Sequence, residues 1–596
     1  MSTKNLQLFN RFSMRWGGFA GDGLQSTGLL LQKYFNKLGY YVHGSPGTQS
    51  TIRGGHVWQH VEINTTPFSS FDRPLDLLVA LNSETIDVHG RDMRPTGVIL
   101  YNADNVSSSD LSTYIEKGIM AIGLELTQMA RKVDLQTSVL ANTVAVGAVL
   151  ALLDLPKSPY TEVLKKRFTN RETIIKLNID ALELGFNSIK EDQVKWSLAE
   201  PAQPAENYLV ISGNEMIALG AAASGLKFLA QYPITPASSI LTYLSNHAAK
   251  LGVVVRQAED ELAAINMIIG ASYTGVRAMT ASSGPGLSLM SEGFGYASMT
   301  ETPLVVVNAM RGGPSTGVPT KMEQADLDSM IHLSHGESPR LILAPRSIPE
   351  AFDITVRAFN LADRFQIPVI ILSDFALSES TQNLPPFDMD VEIDRGKIWS
   401  KPTDEFPEFK RFQSTADSIA PRAFPGTPDA QYILVGAEHD EESHSLSGNR
   451  CGLPESWDIR EKMIERRYKK FELLRQELQG PNLYGKSDAK LTLLCWGSTE
   501  GAVKELVDEF ISMGNSVNML SFADLYPLPS EKIRPYLTNI KTSVMIEVNF
   551  NGQFEELLHN ELNWRADHQI HPLTGETPTA SSLKKALSKL NLEEIQ

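Results

Sequence analysis

Cysteine is nearly absent: the 596-residue chain has two, Cys451 and Cys495. They lie far apart, form no C-x-x-C pair and cannot supply the four thiolates an iron–sulfur cluster needs, so any cluster serving this chain sits elsewhere. Long apolar runs are missing as well. No segment offers eighteen uninterrupted apolar residues, and the opening MSTKNLQLFNRFSMRW lacks a basic region followed by an apolar core. The chain reads as cytoplasmic, without a membrane span. Positive charge is in deficit, with 54 Lys and Arg against 70 Asp and Glu and a formal net charge of −16. Such a field repels phosphate backbones and argues against nucleic-acid or anionic-membrane binding. It also disfavours free anionic substrates, so a site for one needs local cations.

What is present is a repeated strand–helix rhythm, and the length predicts three or four domains. From residue 12 to about 186, apolar runs near Arg15, at 75–81 (LDLLVAL), 98–101 (VILY) and 119–124 read as buried strands, and 24–38 as a helix. This predicts an α/β domain with a mainly parallel sheet. Residues 191–206 are polar and proline-bearing, and read as a linker. A second series starts at Leu209, with strands expected at 253–257, 277–282, 303–309, 341–343 and 368–372. Residues 381–485 read as a crossover carrying one long solvated helix, IREKMIERRYKKFELLRQEL. The rhythm then restarts with strands at 491–496, 517–520 and 544–548. The division expected is 1–190, the linker 191–206, 207–380, 381–485 and 486–596.

Two glycine-rich segments stand near the start. Gly17 to Gly23 (GGFAGDG) opens the helix at Leu24, where backbone N–H groups and the helix dipole favour an anion. A tight strand-to-helix turn explains the same glycines equally well. In the second segment, 44–55 (GSPGTQSTIRGG), Arg53 beside Gly54 and Gly55 suits a phosphate better. The central constellation has three parts. Tyr232-Pro-Ile-Thr-Pro holds Thr235 on a stiff, extended loop just before a helix, where a simple helix cap is the bland explanation. Gln257-Ala-Glu-Asp-Glu261 joins a strand to a helix, and one only of its acids can enter a given site because successive helical residues diverge by about 100°. Acids in a first helical turn are ordinarily surface residues favoured by the dipole. Arg311-Gly-Gly-Pro-Ser-Thr-Gly317 follows a buried strand, and its guanidinium matches a carboxylate in two-point fashion, unless a nearby acid pairs with it structurally. Loops after three strands thus converge on one sheet edge with a hydroxyl, a carboxylate and a guanidinium.

Together, YPITP (232–236), EDELAA (259–264), RGGPSTGVPTK (311–321), GAEHDE (436–441), LYPLP (525–529) and EVNFNGQ (547–553) resemble the 2-oxoacid:ferredoxin oxidoreductases, a thiamine-diphosphate-dependent family. The resemblance covers nearly the whole chain. It implies a multidomain α/β alpha subunit: 207–380 as the pyrimidine-binding domain, 486–596 as a transketolase-C-like domain, and a fused gamma-like domain over 1–190 on the coenzyme A side. Glu261, with Glu259 as fallback, would meet N1′ of the aminopyrimidine. Thr235, Arg311 and Tyr232 would meet the 2-oxoacid. Diphosphate, Mg²⁺ and a [4Fe–4S] cluster would belong to a beta subunit in an alpha₂beta₂ heterotetramer, electrons would leave to ferredoxin, and coenzyme A would accept the acyl group. Relatives often carry a Gly-x-Gly-Gly-Gln-Gly loop. Here Ala20 and Asp22 depart from it, which shifts the expected coenzyme contact from Gly21 and Gly23 toward Arg53, Gly54 and Gly55.

The fused organisation resembles the 2-oxoglutarate branch, with pyruvate or broad 2-oxoacid use as the alternative. Two other classes compete. A nicotinamide dehydrogenase would need a ribose-binding acid about twenty residues past the first glycine loop, and YYVHGSPG (40–47) has none. A non-catalytic assembly subunit would tolerate loss of Glu261 and Arg311. Lys321, His332, His335 and Arg340 are the candidates for reading a distal carboxylate.

Overall fold

A computed structural model describes residues 7–48, 55–71, 74–135, 139–190, 193, 196–201, 207–446, 452–590 and 592. The chain divides into two compact units, one of residues 1–212 with 379–387 and 579–581, the other of 213–378 with 388–578 and 582–596. Both are α/β, as expected.

The first unit is built on an eight-stranded sheet in the order Met120–Leu124, Met93–Asn102, Leu75–Ala80, Arg11–Phe19, His56–Asn64, Tyr41–Gly47, Thr381–Leu384, Leu209–Ser212. The first four strands are parallel, as the apolar runs predicted. The remaining pairings are antiparallel, a half-sheet the sequence reading did not contain. One face packs on helices Leu24–Lys37, Leu140–Leu152 and Glu172–Phe186. Every residue of Leu140–Leu152 is buried. It meets Glu172–Phe186 backbone to backbone: a Cβ on Gly147 would lie 2.1 Å from the Leu182 carbonyl oxygen, so a larger residue would force the helices apart. Leu209–Ser212 and Thr381–Leu384 close this sheet. The second series of strands therefore begins later than Leu209, and the crossover later than residue 381.

The second unit holds two sheets. The larger runs Val254–Gln257, Leu226–Gln231, Arg277–Ser282, Leu304–Met310, Pro368–Asp374, Leu341–Leu343, Asp524–Tyr526, parallel except for the last strand. Leu304–Met310 (LVVVNAM) shows why it is central: a β-branched run buried at every position is what a strand covered on both faces requires. The smaller sheet runs Asn482–Tyr484, Val517–Phe522, Leu491–Trp496, Thr542–Ile546, His568–Ile570. Ile342 and Ile370 from one sheet share a continuous core with Trp496, Leu520 and Phe522 from the other. Val517–Phe522 pairs in the smaller sheet, and the chain then crosses directly to add Asp524–Tyr526 to the larger.

One expectation is overturned. The charged helix Pro454–Glu477 is solvated on one face only: Met463, Arg466, Arg467, Lys470, Phe471 and Leu474 are buried on the other. The cations alternate with apolar residues on the inward face because a buried acid, Glu301, waits beneath them. Arg466 Nη1 bonds Glu301 Oε1, and Lys470 Nζ bonds its Oε2 at 2.6 Å.

Candidate active site

Val254–Gln257, Leu226–Gln231, Arg277–Ser282 and Leu304–Met310 are adjacent and parallel, so the loops that follow them open on one edge. Leu226–Gln231, a strand missing from the sequence reading, runs into Tyr232 and Thr235, both exposed. The loop is tied from below: buried Gln231 donates to the Ala237 carbonyl at 2.9 Å, and Asn214 Nδ2 donates to Pro236 O at 2.8 Å and Ser239 Oγ at 2.7 Å. Thr235 is not a helix cap. Helix Ser238–Leu251 has Ala237 at its N-cap and no side-chain cap bond.

After Val254–Gln257 the three acids separate as the helical geometry demands. Asp260 caps helix Glu261–Tyr273, its Oδ1 accepting from Ala263 N at 2.7 Å, and Glu259 is exposed. Glu261 turns inward to 5 % exposure. There its Oε1 accepts from Ser282 Oγ at 3.5 Å, a long bond from the end of Arg277–Ser282, one strand beyond Leu226–Gln231. The backbone passes close by: a Cβ on Gly286 would fall 2.7 Å from Glu261 Oε1 and 2.0 Å from Ser282 Oγ, so the turn tolerates glycine alone. No ion pair to Glu261 occurs among the described residues. A buried carboxylate with so little bonding keeps acceptor capacity for something else.

Leu304–Met310 delivers Arg311. Its Nη1 donates to the Thr235 carbonyl at 2.9 Å, and its Nε is buried without a partner among the described residues. Burial lowers its pKa from the ordinary value, with nearby Asp326 opposing. The structure thus brings Arg311 and Thr235 into contact, and sets Glu261 on an adjacent strand end of the same edge.

Serine, asparagine and glycine complete this edge, and the sequence reading passed over them. Ser282-Ser-Gly-Pro-Gly286 is a glycine-bearing turn right after a recognised strand, a signal that could have drawn attention to it. Asn308 and Asp326, joined by a 3.0 Å hydrogen bond, carried no motif at all.

Of the distal-carboxylate candidates, Arg340 is buried and donates to the carbonyls of Met330 and Leu333, a structural clamp. Lys321 pairs with Glu576, while His332 and His335 are exposed.

In the first unit the glycine segments contract. The strand Arg11–Phe19 absorbs Gly17 and Gly18, and Tyr41–Gly47 absorbs Gly44 and Gly47, so the start of each segment is strand. What remains is a turn with Gly21 at φ 104° and Gly23 at φ 82°, the left-handed region that glycine occupies without strain. Asp22 is committed locally, its Oδ2 accepting from Phe19 N at 2.9 Å. Gly55 lies beside this turn, its carbonyl accepting from Ala20 N at 3.1 Å. Arg53 and Gly54 fall outside the described residues, as does Cys451; Cys495 is buried, and burial pushes its thiol well up.

Fold and edge together define an α/β chain with charged groups gathered at the carboxyl ends of parallel strands. Residues 219–449 match the family described as "Pyruvate flavodoxin/ferredoxin oxidoreductase, thiamine diP-bdg", and residues 13–188 that described as "Pyruvate ferredoxin/flavodoxin oxidoreductase". The 2-oxoacid:ferredoxin oxidoreductase subunit alpha of Saccharolobus solfataricus is 32% identical, with 97% of each chain covered. The 2-oxoacid:ferredoxin oxidoreductase 2, subunit alpha, of Aeropyrum pernix is 31% identical, with 94% of each covered. A solved 2-oxoglutarate:ferredoxin oxidoreductase from Magnetococcus marinus, with 2-oxoglutarate, coenzyme A and succinyl-CoA bound, is 30% identical. It matches 99% of this chain and 100% of its own with a TM-score of 0.88. The chain belongs to the thiamine-diphosphate-dependent 2-oxoacid:ferredoxin oxidoreductases, as an alpha subunit. No helix among the described residues is long and apolar enough to cross a membrane.

Proposed function

We propose that this subunit, joined to a beta partner carrying the diphosphate site, Mg²⁺ and a [4Fe–4S] cluster, converts 2-oxoglutarate and coenzyme A to succinyl-CoA and CO₂ while reducing ferredoxin. The observation that carries the reading is the edge where Thr235 and Arg311 touch and Glu261 lies buried with acceptor capacity left over. The residues fit the pyrimidine end of thiamine diphosphate, since Glu261 sits behind a turn where a Cβ would strike its carboxylate. Bound there, that cofactor supplies a nucleophilic carbon and an electron sink for a 2-oxoacid.

The chain's own residues have three tasks. Glu261 holds the proton at the aminopyrimidine N1′, which a carboxylate without a cationic partner can do. Arg311 and Thr235 orient the substrate carboxylate, with Tyr232 on the same exposed loop. In the first unit, the glycine turn at Gly21 and Gly23 with Gly55 beside it, and Arg53 and Gly54 by sequence, bind coenzyme A. The domain roles follow: gamma-like to residue 190, the linker 191–206, pyrimidine-binding from 207, the crossover 381–485, transketolase-C-like from 486.

The choice of 2-oxoglutarate is supported by the Magnetococcus marinus enzyme, while the broader names of the archaeal relatives favour wide 2-oxoacid use as the second reading. Purified with its beta partner, the complex should reduce ferredoxin or viologen when a 2-oxoacid and coenzyme A are both supplied, with 2-oxoglutarate preferred over pyruvate and 2-oxobutyrate. A complex replete in iron, sulfide and thiamine that shows no 2-oxoacid-dependent reduction would refute the assignment. Equal kcat/KM for all three acids would establish the broad reading.

A further inference from the structure

Asp326 stands at the N-cap position of helix Leu327–Ile331, yet its carboxylate makes no cap hydrogen bond. It turns to the sheet edge instead, and Oδ2 accepts from Asn308 Nδ2 at 3.0 Å. Asn308 is fully buried, three residues before Arg311, and its own Oδ1 has no partner. On the other side of the arginine, Glu323 Oε2 accepts from Gly313 N at 2.8 Å. The segment 323–326 therefore grips the strand end both before and after Arg311, while the guanidinium itself has, among the described residues, one hydrogen bond and a buried Nε without a partner. Asp326 also presses on the turn that bounds Glu261. A Cβ on Gly284 would lie 2.7 Å from Asp326 Oδ2, as one on Gly286 would lie 2.7 Å from Glu261 Oε1.

We propose that Asp326 is a positioning residue that acts through Arg311: uncharged, it leaves the guanidinium free for the substrate carboxylate, and ionised, it competes for that guanidinium and repels the incoming anion. The inference rests on the reading that Arg311 meets the 2-oxoacid. Two carboxyls flank one glycine turn, and an anionic substrate brings a third negative charge to the same edge. The negative charges of Glu323 and of the substrate favour protonation of Asp326. Burial pushes the Asp326 carboxyl up, Glu323 adds to this, and Asn308 and Arg311 oppose it. The charged groups around it are Arg311 at the strand end, Glu323 on its own segment, and Glu261 across the Gly284–Gly286 turn. Helix Gly284–Leu289 brings no charge. Asp328 on its own helix faces His332 and Glu556.

The sign follows. Substrate binding should take up protons, and KM for the 2-oxoacid should rise with pH above the Asp326 pKa, by up to about tenfold per pH unit for a single group. The complex with the beta partner is compared with Asp326→Asn, which keeps an acceptor for Asn308 but holds no titrating proton. The variant should keep kcat within about threefold and lose the alkaline rise in KM. Titration calorimetry with the unreactive 2-hydroxyglutarate, in buffers of different ionisation enthalpy, should show proton uptake by the wild-type complex and none by the variant. Identical KM–pH profiles and identical proton uptake would overturn the proposal, as would wild-type binding without proton uptake, a result independent of whether the variant folds. Arg311→Ala separates the two levels of argument. If it leaves KM unchanged, the substrate reading of Arg311 fails, whereas a raised KM alongside an unaltered Asp326→Asn profile removes Asp326 alone.

Discussion

The two edges of the large sheet in the second unit use the same residue types in opposite ways. At the amino edge the buried acids are saturated, although Arg411 Nε, Arg422 Nε and Arg466 Nη2 have no partner among the described residues. Glu301 takes Arg466 and Lys470, Arg411 holds its carbonyl at 2.8 Å, and Asp363 receives Arg277, Arg395 and Arg422, each at 2.8 Å. At the carboxyl edge Asp374 is bonded by Gln324, Leu377 N and Ser498, but three charges are under-bonded among the described residues: Glu261 has a single 3.5 Å contact, Arg311 one carbonyl, Asp326 one amide. Leaving a buried ionic group short of partners costs several kcal/mol per group. A fold that satisfies Glu301 so fully has no general difficulty in satisfying an acid. The shortfall at the other edge marks where a ligand completes the bonding.

The sharpest way to break this comparison is Glu261→Gln. If the carboxyl edge is chemical, the complex should lose about two to four orders of magnitude in kcat/KM while its unfolding midpoint stays put. A variant that is less stable and still turns over would assign Glu261 to structure. The reverse holds for Glu301→Gln. Burial alone would push Glu301 up, but Arg466, Lys470 and Arg411 outweigh it and hold the acid well below the usual carboxylate range. Its stabilising contribution is therefore complete above the unfolded value of about 4.3 and fades as pH falls toward the folded one. Removing the charge strands two buried cations and should cost about 3–5 kcal/mol at neutral pH, a penalty that shrinks in acid. Chemical denaturation of the complex at pH 7 and pH 4 measures both, and activity of the surviving folded fraction should match wild type.

The carboxyl edge was far more legible in the sequence than the amino edge, for a physical reason. Its groups sit on short loops directly after strands, so YPITP, QAEDE and RGGPSTG are each contiguous and each announces its own geometry through Pro, Gly or a helix start. Glu301 depends on Arg411, Arg466 and Lys470, which lie more than a hundred residues away and read locally as parts of a polar crossover and a solvated helix. No periodicity in IREKMIERRYKK says that its cations have an acid to meet. The antiparallel half of the first sheet was hidden similarly, because glycine, histidine and proline in Tyr41–Gly47 look like loop until the neighbouring strand His56–Asn64 supplies the pairing. Leu226–Gln231 was missed because its short apolar run, broken by Lys227, follows directly on an apolar helix.

The mildest test separates neighbours within a single turn. Asp260 and Glu259 adjoin Glu261 in sequence, and the same charge on each has a different physical use. Asp260→Ala removes the bond to Ala263 N and should cost about 1 kcal/mol of stability, as loss of a helix cap does, with turnover little changed. Glu259→Gln removes an exposed charge at the helix start, and both stability and kcat/KM should stay within about twofold of wild type, because surface charges near a dipole contribute little. Measured together by thermal unfolding and 2-oxoacid-dependent viologen reduction, the two variants should bracket Glu261→Gln from below. A large activity loss in Glu259→Gln instead would move the N1′ contact to that residue, two positions before Glu261, and would mean that the helix start rearranges when the subunits assemble.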